Sequence, residues 1–553
     1  MCGITFVFGS DHDKEAYRAS IAHRGPDNTS FVQSKHGLFV FHRLSINDPL
    51  NGAQPFVSDD AVLMCNGEIY NHRELERKYD VQPDTDSDCE VLLWILKHTS
   101  RSDLPNVFKR LDAEFACVYA DNDGVVVARD PMGVRPLYVA YGHNGEIVGF
   151  SSEAKGLLLE QNTQKIKTIE QVPPGTYYHS CDSVSFRPYG VLTLPLYNKL
   201  NNNMNTENGL ESFEKHVRAV RVFLTDAVKR RVRMSERPVA FFLSGGLDSS
   251  IIAAVGAKLS KQQQRITTYS IGIRGSRSPD LEAARIMADH IGSNHVEVTF
   301  DPEHAIAQVS RVVKQLESYD CTTIRASVPM FLLAEHVAMF SEHRVILSGE
   351  GADELFGGYL YFHNAPSNET FHDETIRLLK NIHQFDGLRA DRCTAAHGLE
   401  VRVPFLDPVL VEYVTTEIHP SMKNPKENDG VEKRVLREAF KDLLPPEILN
   451  RQKNGMSDAV GYAWVDHLRA FAAEQQNRTN CCNDDPQASA STIKKYNYSV
   501  NPPLTDEERW YREIYHTYYP DDLVVSHESI WRPKWSQDVT DPSARQLTNV
   551  FKA

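Results

Sequence analysis

No apolar run in this 553-residue chain is long enough to cross a membrane. The most hydrophobic stretches, 239–243 and 251–257, are broken by Asp248 and by glycines well short of the about 20 residues a spanning helix needs. A secretion signal is missing as well, since Met1-Cys2-Gly3-Ile4-Thr5 leads at once to Asp11, Asp13 and Lys14. Excess positive charge is also lacking: 60 Lys+Arg against 74 Asp+Glu leave a net charge of -14. That balance excludes a general nucleic-acid binder, which displaces counterions along a phosphate track; the basic run 229–233 falls in a helical pattern and reads as a solvated face. The nine cysteines form no C-x-x-C pair, and the adjacent Cys481-Cys482 lacks the spacing of a structural zinc site. Free thiols in a reducing compartment, the cytosol, are therefore expected, and sequons such as Asn368-Glu369-Thr370 carry no meaning there. The 41% hydrophobic and 24% charged composition is that of a folded, soluble protein. Its length suggests about three ordinary domains or two large ones.

What is present falls into two textures. Short β-type runs at 37–45, 61–70, 115–120, 125–128 and 147–152 are punctuated by turn residues, with helical pattern limited to places such as 89–97. An α+β half of antiparallel sheets packed face to face is expected over 2–190. The Asn-rich stretch 195–208 marks a linker, assigned to 191–212. Beyond it, a long amphipathic helix over 210–233 is followed by alternating strands (239–243, 266–273, 295–300, 345–347) and helices (249–259, 281–291). This predicts an α/β parallel-sheet nucleotide-binding domain over 213–553, mainly helical after about residue 360, with a mobile surface loop at 475–500.

Met1 precedes a small residue, so its removal by the ribosomal aminopeptidase would leave Cys2 first. One residue would then carry a thiol nucleophile and an α-amine of pKa near 7.7–8.0, a suitable general base at neutral pH. Asn66-Gly67 follows an apolar run: the glycine lets a backbone N–H approach an oxyanion, and the asparagine amide adds a second donor. Arg43 offers a planar fork for a carboxylate, while Glu68 and Asp88 suit an ammonium. Together they would grip a free amino acid at both ends. Taken singly, Arg43 also suits a surface ion pair and Asp88 a helix N-cap.

These residues sit in five motifs, Met1-Cys2-Gly3-Ile4, His23-Arg24-Gly25-Pro26-Asp27, His42-Arg43-Leu44-Ser45-Ile46, Asn66-Gly67-Glu68-Ile69-Tyr70-Asn71 and the run from Arg129-Asp130-Pro131 to Tyr138. In that order they resemble the glutaminase domain of class II glutamine amidotransferases. The resemblance implies an αββα sandwich of the N-terminal-nucleophile hydrolase type, with Cys2 as nucleophile and Asn66 and Gly67 as oxyanion hole. Arg43, Glu68 and Asp88 would hold glutamine, with Leu44, Ser45, Ile46 and Asn47 alongside. His23 follows Cys2 by only 21 positions, so the first helix is expected to be trimmed.

In the second half, Leu243-Ser244-Gly245-Gly246-Leu247-Asp248-Ser249-Ser250 lies between a strand and a helix, where glycines and serines build a nest of N–H groups for pyrophosphate. No Gly-Lys-Ser/Thr follows, so it is not a Walker A loop. A carboxylate in a phosphate loop calls for a cation: Asp248 predicts Mg²⁺, with Asp353 of Ser348-Gly349-Glu350-Gly351-Ala352-Asp353 as the second ligand. Either loop, read alone, also fits a capped helix after a glycine turn. Glu350 is placed to orient substrate or adenylate.

Ser244–Ser249 resembles the loop of the pyrophosphate-releasing ATPases, and with 322–327, 398–407 and 451–453 the chain from residue 2 to about 465 resembles the glutamine-hydrolysing asparagine synthetases. That family implies ATP contacts at Leu243, Ser244, Gly245, Gly246, Asp248, Ser249, Ser250, Ile271, Ser348, Gly349 and Lys453, with Mg²⁺ on Asp248 and Asp353. It implies Glu350 at a β-aspartyl-AMP intermediate and Arg325 and Asp386 near aspartate. L-aspartate, ATP and L-glutamine are the implied substrates, an internal tunnel the route of ammonia, and a homodimer the usual assembly. Two alternatives stay open: an amidotransferase or cyclase of this architecture acting on another carboxylate, and a non-catalytic protein on the same scaffold. The segment after 465 is assigned no role.

Overall fold

Strands whose two faces are both covered read as continuous apolar runs rather than as alternation, and the first half is built from such strands. In a computed structural model of the chain, every residue of Gly37–Arg43, Ala113–Ala120 and Val125–Arg129 is buried. The structure describes all residues except 11, 160–164, 183–184, 191, 201–209, 261–264, 453–459, 462, 484–497, 499, 520–522, 524–529 and 537–553.

One six-stranded antiparallel sheet runs in the order Ile166–Gln171, Tyr138–Gly142, Ile147–Ser151, Gly3–Phe8, Gly37–Arg43, Asn28–Gln33. The second runs Arg187–Pro188, Thr176–His179, Val125–Arg129, Ala113–Ala120, Ala61–Ile69, Phe56–Ser58. Ile4, Phe6, Phe39 and Phe41 of the first meet Val62, Met64, Val118 and Val127 of the second, forming the sandwich core. The opposite face of the second sheet, with Leu63, Cys65 and Cys117, is covered by helices Glu90–Lys97 and Leu104–Lys109. On the first sheet's outer face the helix is short, Lys14–Arg18, as the spacing from Cys2 to His23 predicts. There Val7, Leu38, Val40 and Tyr138 share a core with Ile324, Phe331 and Cys393 of the second half.

The second half is organised on a five-stranded parallel sheet, ordered Asn294–Phe300, Thr267–Ile273, Val239–Phe242, Val345–Leu347, Glu400–Arg402. Parallel strands need crossover connections, and helices such as Leu247–Ser260, Pro279–Ile291 and Cys321–Phe340 supply them. The central strand Val239–Phe242 and its neighbour Val345–Leu347 both deliver their C-terminal loops to the same end, where open α/β sheets bind ligands. Helix Leu210–Arg233 forms over the expected span. One expectation changes here. Helix Ala463–Asn483 fills the start of the expected loop at 475–500, whose remainder lies mostly outside the described residues.

Buried ion pairs join the halves. Arg24 is bidentate to Asp391 (2.7 and 3.0 Å) and also meets Glu153 at 2.8 Å. Arg231 ties Glu114 (2.7 Å) to Asp407 (3.0 Å), and Arg402 reaches Glu68 at 3.0 Å. Such pairs offset the cost of desolvation only when their geometry is specific, so they fix one relative placement of the two halves.

Lys423 is the opposite case. Its fully buried Nζ donates to Val414 O at 3.0 Å, and burial lowers its pKa from 10.5 to about 7. Between those values the unfolded chain binds a proton that the fold does not, so stability rises with pH across that window. Lys423→Met is expected to raise Tm at pH near 7, with a gain that shrinks towards pH near 10 as the wild type sheds the cost. Differential scanning fluorimetry at both pH values checks this, and a gain independent of pH contradicts it.

Candidate active sites

Cys2 stands just before the central strand Gly3–Phe8, with its thiol between the backbone N–H (3.4 Å) and C=O (3.6 Å) of Leu44. The His23–Asp27 motif holds this corner. Arg24 Nε donates to Cys2 O at 3.0 Å, and Asp27 accepts from the Ser45 N–H at 2.8 Å, pinning the 44–47 loop. Leu44 and Ile46 are buried against the apolar core that continues into the second half. With Met1 in place, Cys2 has a peptide nitrogen that takes no proton, and burial pushes its thiol up to about 11. The Met1 ammonium donates to Leu399 O at 3.0 Å, and burial lowers this amine to about 5.

Asn66 and Gly67 lie in strand Ala61–Ile69 opposite Ala116 and Phe115. A Cβ at Gly67 would sit 2.1 Å from Glu114 O, so only glycine fits. Both amide atoms of the Asn66 side chain are buried without a hydrogen-bond partner among the described residues. A buried unmade amide is costly, and an oxyanion would satisfy its donor. The glutaminase resemblance implies that Asn66→Ala lowers the kcat of glutamine hydrolysis about 10²-fold, with ammonia-dependent chemistry intact; glutamate release measures it.

The other predicted glutamine contacts converge on one patch. Asn47 Nδ2 donates to Glu68 (2.7 Å) and to Asp88 (3.0 Å), and Asp88 also accepts from Ile69 N at 2.7 Å. Burial pushes Glu68 well above the usual carboxylate range, opposed by the Arg402 charge. Arg43 is oriented by donating to the Asp48 (2.6 Å) and Pro49 (3.3 Å) carbonyls.

In the second half a cavity of about 220 Å³ opens where the two strand-end loops meet. Leu243, Ser244, Gly246, Asp248, Ser249 and Ile271 line one side; Ser348, Gly349, Glu350, Asp353 and Asp386 line the other. Close packing of the loops explains two glycines: a Cβ at Gly349 would lie 2.8 Å from Ser249 N, and one at Gly245 (φ +70°) would lie 2.4 Å from the Ala283 backbone. Gly245 thus backs onto helix Pro279–Ile291 rather than facing the cavity. Ser250 is fully buried one residue beyond the lining, its Oγ without a partner among the described residues. Lys453 lies outside the described residues.

Asp248 and Asp353 both meet Lys433, whose Nζ is 2.6 Å from Asp248 and 2.7 Å from Asp353. Nothing in the surrounding sequence distinguishes this lysine from a surface one. Arg389, equally unforeseen, donates to Glu350 at 2.7 Å and pairs with Asp386. Tyr359 OH lies 2.6 Å from Glu354 and 2.9 Å from Asp386. Burial, then repulsion from Asp386 and Asp353, pushes Glu354 well above the usual carboxylate range. Arg325 is placed elsewhere. Its buried guanidinium pairs with Glu507 at 2.5 Å, because Thr322, Ala326 and Met330 form the cavity-facing stripe of helix Cys321–Phe340 and Arg325 falls outside it.

A half-buried cysteine held at the Leu44 backbone, joined to a glycine-serine strand-end loop with paired carboxylates, marks a two-site class of protein. The glutamine amidotransferase domain family matches residues 1–185, and the asparagine synthase family matches 219–377 and 364–544. Asparagine synthetase [glutamine-hydrolyzing] of Homo sapiens is 39% identical over 587 residues, covering 100% of both chains. The protein of that name from Asparagus officinalis is 38% identical over 587 residues, covering 100% of this chain and 93% of its own. Among solved structures, the allosteric regulatory enzyme of purine biosynthesis aligns over 54% of this chain and 80% of its own, at TM-score 0.31 and 16% identity. The chain belongs to the glutamine-hydrolysing asparagine synthetases.

Proposed function

We infer that the chain converts L-aspartate, ATP and L-glutamine to L-asparagine, AMP, pyrophosphate and L-glutamate. The full-length likeness to glutamine-hydrolysing asparagine synthetases carries this reading. Removal of Met1 frees the Cys2 amine, which takes the thiol proton as sulfur attacks the glutamine amide. The C–N bond breaks, the amine returns the proton to the departing ammonia, and water hydrolyses the γ-glutamyl thioester. Asn66 and Gly67 hold the oxyanion; Arg43 holds the glutamine carboxylate, and Glu68 and Asp88 its ammonium.

At the second site an aspartate β-carboxylate oxygen attacks the α-phosphorus of ATP and pyrophosphate leaves. A carboxylate resists amines because its oxygens leave poorly, whereas AMP departs readily from the resulting acyl-adenylate. Ser244, Gly246 and Ser249 suit the phosphates, and Leu243, Ile271, Ser348 and Gly349 the rest of the nucleotide. Lys433 supplies positive charge between the two carboxylates. Glu350, oriented by Arg389, is set beside the acyl group together with Asp386. Asp248 and Asp353 already converge on one cation, and two carboxylates completed by phosphate and water oxygens suit Mg²⁺. Bound there, the ion would neutralise charge on the departing pyrophosphate.

Ammonia exposed to water becomes ammonium, which has no lone pair to attack with. The proposed route is the apolar core shared by the halves, in which Leu44, Ile46 and Met132 pack with Leu243, Val401 and Val403. Cytosolic residence and a homodimer complete the proposal. The seven described cysteines are all unpaired, and no helix among the described residues is long and apolar enough to cross a membrane. Purified protein given ATP, Mg²⁺, aspartate and ammonium is expected to form asparagine, AMP and pyrophosphate together. ADP and phosphate as products, or amidation of a different carboxylate in preference, would overturn the reading.

A further inference from the structure

The adenylation cavity has a wall that none of its motifs supplies. Trp531 and Pro533, from the stretch 530–536 near the chain end, line the same space as Glu350 and Asp386. Four ties seat this strap. The Trp531 N–H donates to Asp320 at 2.9 Å, and Arg532 pairs with Glu508. Lys534 meets Glu374 at 2.8 Å, and Asn364 donates to Trp535 O at 3.3 Å. Asp320 is itself the N-cap of helix Cys321–Phe340, accepting from Thr323 N at 2.8 Å, so the strap is anchored where that helix turns Thr322 towards the cavity. The Trp531 indole, 6% exposed, stands edge-on to Tyr359 at 5.6 Å and to Tyr361 at 6.2 Å. Tyr359 in turn holds Glu354 and Asp386. The strap therefore covers the end of the cavity where Glu350, Arg389 and Asp386 gather. Lys433 and the serine loop lie among the phosphate-binding residues.

We propose that the 530–536 strap, through Trp531, is the water-excluding wall over the acyl end of this cavity, reserving the acyl-adenylate for ammonia. This rests on the function argued above. Ammonia attack gives the amide, the AMP dianion and one proton; water attack on the same carbon returns the free carboxylate, the AMP dianion and two protons. Both consume one ATP, so the ratio of AMP to asparagine reports how well water is kept out. An indole wall filling a buried corner denies water both room and a hydrogen-bond partner.

The test measures AMP and asparagine together for the full chain with ATP, Mg²⁺, aspartate and ammonium, alongside glutamate release from glutamine. Wild type is expected near one AMP per asparagine. Trp531→Ala is expected to raise the ratio about threefold or more and to weaken aspartate binding, with glutamine hydrolysis unchanged; Trp531→Phe recovers most of the loss. Should Trp531→Ala fail to fold, the Arg532→Ala/Lys534→Ala pair, which cuts two ties while leaving Trp531, is expected to shift the ratio in the same direction. A soluble variant with slower turnover but an unchanged ratio overturns the strap proposal, since a purely structural loss scales both products alike. Wild type that yields no asparagine would instead overturn the functional reading itself.

Discussion

Cys2→Ala is expected to abolish glutamine-dependent asparagine formation, by about 10⁴-fold or more, while leaving synthesis from ammonium at the wild-type rate. The Cys2 thiol meets the Leu44 backbone N–H and C=O, and alanine offers no lone pair to the amide carbon. The substitution removes no ion pair, so the Arg24–Asp391 junction and the parallel-sheet half stay in place. Parallel assays with glutamine and with ammonium chloride read the result. Loss of both activities would show that the halves do not work as separable sites, and retained glutamine-dependent synthesis would place the nucleophile elsewhere.

Lys433→Ala is expected to act in reverse, collapsing pyrophosphate release about 10³-fold with either nitrogen source while glutamine hydrolysis continues. The lysine is 2% exposed and meets Asp248 and Asp353 together. Without it two buried carboxylates face each other and the incoming phosphates with no protein cation between them. Space there is tight: a Cβ at Gly358 would lie 1.9 Å from Lys433 Cε, which argues against arginine as a substitute. Pyrophosphate release unaffected by the change would remove Lys433 from the site.

Which of these residues the sequence reveals depends on whether their chemistry is local. Cys2, Asn66, Gly67, Asp248, Ser348 and Glu350 stand in short motifs within or beside strands, so residue type and spacing suffice. Their counter-charges come from far along the chain. Lys433 reaches Asp248 across 185 positions, Arg389 reaches Glu350 across 39, and no periodicity marks either. Trp531 is hidden for the same reason, since its partners Tyr359 and Asp320 belong to other elements. Arg325 misleads in the opposite sense. It shares the 322–327 motif with cavity residues, yet the helical period sends Thr322 and Ala326 to the cavity and leaves Arg325 to Glu507. Element types follow from hydrophobic pattern, as in Leu210–Arg233 and Val345–Leu347, whereas helix Ala463–Asn483 outlasts its polar composition. Its buried Trp464, Val465, Leu468 and Ala472 outweigh weak local propensity.

The central claim is that ammonia made at Cys2 reaches the acyl-adenylate without passing through bulk water. Its most direct test supplies amide-¹⁵N glutamine with ATP, Mg²⁺ and aspartate in the presence of excess unlabelled ammonium, and reads the ¹⁵N content of the asparagine amide by mass spectrometry. The expected result is an asparagine far richer in ¹⁵N than the ammonium pool. Asparagine carrying the isotope ratio of the pool would contradict the internal route and leave two independent sites on one chain.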